Sequence, residues 1–283
     1  MDPFVFGVVL LAAAFHASWN ALIKFRLDPF LAIVLIAAGA GIVSLPALAF
    51  VPVPPLAAWP WLIMSVITHC GYYLGLSAAY RSGDMGQVYP IARGAAPLMT
   101  ATITTLFVGE RLGLYGWGGI VLLALGVLLL SLRGGRDLAR LDRTAVGFAL
   151  FTAVTICVYS VVDGVGARLA GPGKANAYSL LLFVGIAPVI VAYALVRRGA
   201  AVFPAMVPHW KTGLGGGALA VISYSIAIWA MTLAPIAIVA ALRETSVLFG
   251  AIIAVVILKE PLRTARVVAA SMIVGGLVLL RLA

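Results

Sequence analysis

The amino-acid sequence predicts an all-α integral membrane protein with ten transmembrane helices arranged as two inverted five-helix repeats. Three observations predict it. First, the 283-residue chain is 64% hydrophobic and 10% charged, with a mean hydropathy of +1.15, a composition foreign to soluble globular domains. Second, apolar runs of about 20 residues, each able to cross ~30 Å of hydrocarbon, follow one another almost end to end. Third, two arginines stand well inside such runs. Arg93 and Arg243 are 150 positions apart, and each is followed 17 positions later by a glutamate, Glu110 and Glu260. An arginine at the centre of a spanning helix costs about 2.5–3.5 kcal/mol on insertion scales, so a carboxylate, water or ligand must offset it.

The first repeat, residues 1–132, holds spans at 4–24, 30–51, 60–80, 85–108 and 113–132. Span 1 lacks a basic leader and carries Trp19 and Asn20, so it reads as a retained span and not as a signal peptide. In span 4, Pro90 and Pro97 bracket Arg93. Each proline frees a carbonyl, so this span is the expected site of a break or kink. The segment 133–144, RGGRDLARLDRT, is the one strongly charged connection and divides the halves. The second repeat, residues 145–283, holds spans at 145–166, 176–196, 212–232, 235–258 and 264–282. Span 9 has no proline after Pro235 and reads as regular. All ten runs are too long for transmembrane strands, and helices satisfy every backbone group within one segment.

Charge sets the orientation. Of the 19 lysines and arginines, 13 lie in loops after odd-numbered spans, four lie on the opposite side, and Arg93 and Arg243 lie within spans. The positive-inside rule then puts the 133–144 linker in the cytoplasm and both termini outside it. The same distribution accounts for the net charge of +10 without nucleic acid. Cys70 and Cys157 fall within spans and read as small buried thiols.

The 150-residue offset also aligns Leu98 with Leu248, Ala101 with Ala251, Leu112 with Leu262 and Gly126 with Gly276. The arginine and glutamate matches weigh most, because charged residues are scarce. Five spans per half is an odd number, so the second half enters from the opposite side. Inverted repeats of this kind are a common transporter design, with the substrate site near the midplane between halves.

Polar residues inside the spans are the candidate substrate-binding set. His16 and Asn20 share a helix face in span 1, close to Trp19. His69 lies near the middle of span 3, with Tyr72 one turn on. Tyr89 lies one turn before Arg93. Tyr159 in span 6 and Tyr224 in span 8 add hydroxyl and aromatic surface. Asp163, near the end of span 6, and Glu244, beside Arg243, are candidates for ion pairing or proton coupling. Adjacent helix positions do not face each other, so Glu244 is expected to point away from Arg243. Glu110 and Glu260 close their spans and read as structural marks of the repeat. The histidines have no neighbouring Cys, Asp or Glu cluster to complete a metal site, and no GxxxxGK[ST] stretch is present for ATP. No cofactor is expected.

The stretches HASWNALIK (His16 to Lys24), VYPIARGAAPL (Val88 to Leu98), GERL (Gly109 to Leu112) and KEPL (Lys259 to Leu262) resemble the EamA-like branch of the drug/metabolite transporter superfamily. The resemblance implies a secondary carrier working by alternating access, an exporter or exchanger of an amino acid or related anionic or zwitterionic compound. An importer or facilitator of the same substrate class is the alternative. Guanidinium groups recognise carboxylate or phosphate bidentately, which fits such a substrate. The expected partners are the lipid bilayer, a small-molecule substrate and, for coupling, protons. The expected location is a cell membrane, a bacterial inner membrane in particular, with the chain as monomer or homodimer. A membrane enzyme is disfavoured, since no DxxD or HExxH pair occurs among the nine acidic residues.

Overall fold

The computed structural model describes residues 1–23, 27–82, 85–131, 143–256, 259 and 264–283, with backbone alone at 21–23, 29, 76–82, 85–90, 131, 143, 145 and 254. Glu260, the Tyr89 side chain and nearly all of the 133–144 linker lie outside the described residues. Among the described residues every regular element is helical. The helices are α1 (Pro3–Ile23), α2 (Pro29–Ala47), α3 (Trp59–Ser82), α4 (Met85–Ile103), α5 (Leu114–Ser131), α6 (Arg143–Ala170), α7 (Ala175–Arg198), the short α8 (Val202–Met206), α9 (Trp210–Met231), α10 (Ile236–Arg243), α11 (Ser246–Val256) and α12 (Thr264–Leu282). Seven stretches of the described residues are long and apolar enough to cross a membrane. One of them, Ala175–Met231, runs through α7, α8 and α9, and α5 is a shorter apolar helix, Leu114–Leu130.

Local chemistry explains several helix ends. Asp2 accepts from the backbone N–H groups of Phe4 (2.8 Å) and Val5 (3.2 Å). Asp28 does the same for Phe30 (3.1 Å) and Leu31 (3.2 Å). Both aspartates precede a proline at the first helical position, so each Asp-Pro pair caps a helix and presets its first φ angle. At the far end of α4 the chain widens into a π-turn, Thr104–Val108. It closes on Gly109 at φ +79°, a left-handed position that glycine occupies without Cβ strain.

The interruption expected in span 4 occurs in span 9 instead. α4 runs unbroken through Arg93 and Pro97, because neighbouring groups in a membrane bundle can satisfy what a proline frees. Span 9 is split between α10 and α11 at Glu244 and Thr245. There the backbone tightens: Glu244 N–H donates to Ala241 (3.0 Å), Thr245 N–H to Leu242 (3.1 Å) and Val247 N–H to Glu244 (3.1 Å). The Thr245 hydroxyl takes a further bond to the Leu242 carbonyl at 2.6 Å.

Packing follows small residues. α5 lies along α12, α3 along α6, and α2 along both α7 and α9. A Cβ on Gly39 of α2 would sit 2.1 Å from the Gly213 carbonyl oxygen of α9, and one on Gly217 would sit 2.3 Å from the Ala40 nitrogen. Gly213 and Gly217 are four apart, the spacing that lets membrane helices approach backbone to backbone. Large apolar side chains such as Ile42, Ile67, Leu106 and Val196 face outward, where lipid replaces water as their solvent. Among the described residues four charged ones, Arg93, Asp163, Arg243 and Glu244, are buried in the bundle interior.

The bundle ends are tied by polar contacts. At one end Arg281 donates to the Met1 carbonyl (2.9 Å), and Arg168 pairs with Glu110 (2.7 Å). At the other, Arg198 pairs with Asp28 (3.0 Å), with both side chains well exposed.

Candidate functional site

The helix break brings Glu244 to Arg93. The Arg93 Nε lies 2.8 Å from Glu244 Oε2, and Arg93 Nη2 donates to the Ser246 hydroxyl at 2.7 Å. Residues two apart on a regular helix do not share a face, so Glu244 and Ser246 reach one guanidinium only because the chain turns between them. The pair is sealed inside the bundle, with Arg93 and Glu244 each 3% exposed. The sequence left Arg93 without an adjacent acid; the acid comes from the other half of the chain.

Arg243 is held differently. It is buried at the end of α10, and its guanidinium carbon lies 4.5 Å from the centre of the Tyr224 ring. Its Nε has no hydrogen-bond partner among the described residues, and no carboxylate there forms a salt bridge with it. A guanidinium over an aromatic face gains about 0.5–2 kcal/mol, well short of what an ion pair supplies to a buried cation.

Asp163 is fully buried on α6. Its carboxylate accepts from the Tyr178 hydroxyl of α7 at 3.1 Å and from the Tyr224 hydroxyl of α9. Tyr224 therefore touches both Asp163 and Arg243. His69 stacks on Tyr159, with ring centroids 4.1 Å apart, and meets Tyr224 edge-on at 5.4 Å. Its Nδ1 lies 3.0 Å from the Ser65 carbonyl. Tyr72 abuts Tyr159 at 5.8 Å. One aromatic and charged cluster thus joins α3, α4, α6, α7, α9 and the α10–α11 break.

The span 1 candidates are half-buried. His16 and Trp19 contact each other edge to face at 5.0 Å, while the Asn20 amide donates back to the His16 carbonyl at 2.7 Å. Asn20 thereby spends a donor within its own helix. Two cavities, of about 550 and 450 Å³, lie beside Trp229 between α7 and α9. Neither is lined by Arg93, Arg243 or Asp163, and all three of those residues are buried. Among the described residues no three His, Cys, Asp or Glu side chains assemble as a metal site requires.

Glu110 supplies a cap in trans. Its carboxylate accepts from the backbone N–H groups of Ile236 (2.7 Å) and Ala237 (3.2 Å) at the start of α10 and pairs with Arg168. Arg168 also holds the carbonyls of Met231 (2.9 Å) and Ala234 (3.1 Å). The segment before α10, with Pro235 in place of a capping side chain, cannot satisfy these donors itself. Glu110→Ala is expected to lower stability by about 0.5–2 kcal/mol, the range for a lost helix cap. A thermal melt in detergent that does not move would mean that water replaces the carboxylate.

Tyr178 and Ser246 were not among the sequence candidates. Tyr178 lies in an apolar run, yet a buried tyrosine hydroxyl must find a partner, and that requirement was its signal. Ser246 carries no such signal, because its role depends on the break.

Comparison with known proteins follows the same lines. The EamA-like transporter family matches residues 4–132. A curated protein from Sinorhizobium sp., described as an uncharacterized transporter in cobO 3'region, is 32% identical over 77 residues, which is 27% of this chain and 54% of that protein. The match thus spans about half the length of that relative. A solved structure described as "Crystal structure of protein" superposes with a TM-score of 0.74 at 19% identity, covering 99% of this chain and 96% of that one, a likeness of fold. Seven described stretches long and apolar enough to cross a membrane make the chain a multi-pass membrane protein, and over residues 4–132 it is similar to the EamA-like transporter family.

Proposed function

We propose that this protein is a secondary transporter of a small anionic or zwitterionic metabolite, an amino acid or related compound, exported or exchanged by alternating access. The observation that carries the reading is Arg243: a buried cation beside an ion pair already formed, with an aromatic ring as its contact in place of a carboxylate. A substrate carboxylate or phosphate would complete it.

The reading includes a ten-span inverted repeat, which the pattern of helix contacts supports. Exchanging the halves maps α1 on α6, α2 on α7, α3 on α9, α4 on α10–α11 and α5 on α12. Under that exchange the α5–α12 and α2–α7 contacts map on themselves. The α3–α6 contact maps on α9–α1, and α4–α6 maps on α10–α11 with α1. The end contacts have the parity of ten crossings: Met1 with Arg281 and Glu110 with Arg168 at one face, Asp28 with Arg198 at the other. The distribution of positive charge orients the termini away from the cytoplasm of an inner membrane. The cluster of Arg93, Glu244, Arg243 and Asp163 then sits where the halves meet, and separating the Arg93–Glu244 pair is the step that opens it.

The test is ligand-dependent stabilisation across a metabolite library, followed by flux in proteoliposomes. A ligand at 100 times its Kd raises stability by about 2.7 kcal/mol, enough to move a melting curve. Carboxylates and zwitterions are expected to stabilise the protein and to show saturable counterflow. Stabilisation by organic cations alone would overturn the substrate class.

A further inference from the structure

We propose that Tyr224 couples substrate to protons, because one side chain grips the Arg243 guanidinium with its ring and the Asp163 carboxylate with its hydroxyl. The inference rests on the reading of Arg243 as the anion site and adds the device that links it to a second, protonatable site.

The chemistry is a proton equilibrium with no redox step: Asp163 carboxylate plus one proton from water gives the neutral acid. As a carboxylate, Asp163 accepts a charge-assisted bond from Tyr224, roughly twice as strong as a neutral one. That bond holds the Tyr224 ring against Arg243. When a proton occupies the carboxylate, the bond from the Tyr224 hydroxyl falls to the strength of a neutral one and the hold on the ring loosens. Arg243 is then free to take a carboxylate. In the other direction, a substrate anion neutralises Arg243, removes the cation from the Tyr224 face and loosens the same ring from Asp163. Proton and anion therefore bind cooperatively, and linkage makes the effect equal from either side.

The other groups around Asp163 are accounted for by element. α3 presents Ser65, whose hydroxyl bonds Asp163, and His69 against Tyr159 and Tyr224, while α1 brings His16 within electrostatic reach of Arg243. α7 presents Tyr178, which bonds Asp163 without contacting the Arg243 guanidinium. α4 presents Arg93, already paired with Glu244. α10 presents Arg243, and Tyr159 lies on α6 itself. Tyr224 is the residue in this set that spans both centres.

The experiment measures thermal stabilisation of the full chain by acetate and by L-alanine at two pH values one unit apart. In wild type the half-saturating concentration falls on acidification, by up to about tenfold per pH unit at full coupling. The ratio between the two pH values, not the absolute affinity, is the readout. Tyr224→Phe is expected to bring that ratio to about one, as is Asp163→Asn, whereas Tyr178→Phe and His69→Asn keep it. A ratio preserved in Tyr224→Phe, or lost equally in Tyr178→Phe, overturns the proposal, and loss in His69→Asn moves the proton site to the histidine. If acetate and L-alanine stabilise wild type and Arg243→Met alike, or stabilise neither, the anion-site reading fails by itself. A ligand-free arm then judges the link, and also serves if Tyr224→Phe does not fold. In that arm the infrared band of protonated Asp163, identified by its loss in Asp163→Asn, is compared with and without Arg243→Met. A shifted band supports mutual holding by ring and guanidinium; an unmoved band overturns it.

Discussion

Arg243→Ala is expected to abolish substrate-dependent flux while leaving the protein as stable as wild type or more so. The two halves of that outcome have separate causes. A hydrogen bond to a charged group is worth about 1.5–3 kcal/mol, so loss of a bidentate contact, two such bonds, lowers affinity by roughly 10²- to 10⁴-fold. Stability behaves in the opposite way. The Arg243 guanidinium is buried with a ring contact and no salt bridge among the described residues. Removing it forfeits about 0.5–2 kcal/mol of cation–π attraction and relieves the cost of holding a charge away from water. Arg243→Lys keeps the charge but not the planar fork, and is expected to retain weak flux at best. Flux assays paired with melting curves check both halves; wild-type flux in Arg243→Ala would remove Arg243 from the site.

Arg93→Ala makes the opposite prediction for stability, although the residue type and depth are the same. It strands the Glu244 carboxylate in the interior, 3% exposed. Breaking a buried ion pair by removing one partner costs about 3–5 kcal/mol. Glu244→Ala is expected to cost as much, since it strands Arg93. Replacing both with apolar residues of similar volume, Arg93→Met with Glu244→Leu, is expected to restore most of the loss, because no unpaired charge remains. The coupling from a double-mutant cycle on Arg93→Met, Glu244→Leu and the two together should be at least about 2 kcal/mol, near the top of the range for contacting residues. Flux is expected to be lost in all three variants, because under the proposed alternating access the pair must separate and re-form. Additive single-mutant costs would show that the ion pair contributes little.

How much of this was legible beforehand can be traced residue by residue. The spans follow from apolar runs, since hydrocarbon thickness dictates helix length. Glu110 reads as structural from its place at a span end, and its carboxylate accepts from the first backbone N–H groups of α10. Asp163 was legible as a candidate from its position in span 6, but its burial and its two phenolic donors were not, because α7 and α9 supply them. The expected break misplaced the cause. Pro90 and Pro97 are visible local signals, whereas the split at Glu244 and Thr245 is demanded by Arg93 from another helix.

The sequence by itself therefore determined the solvent, the helical class and the cost of two buried arginines, because each depends on composition or on local spacing. Only the tertiary structure decided which arginine is satisfied. Glu244 is adjacent to Arg243 in the chain, yet it neutralises Arg93, and Arg243 is left to Tyr224. Adjacency along a helix sends side chains to different faces, so partners in a bundle are chosen by packing between helices. That choice pairs one buried arginine with a carboxylate and sets the other against an aromatic ring.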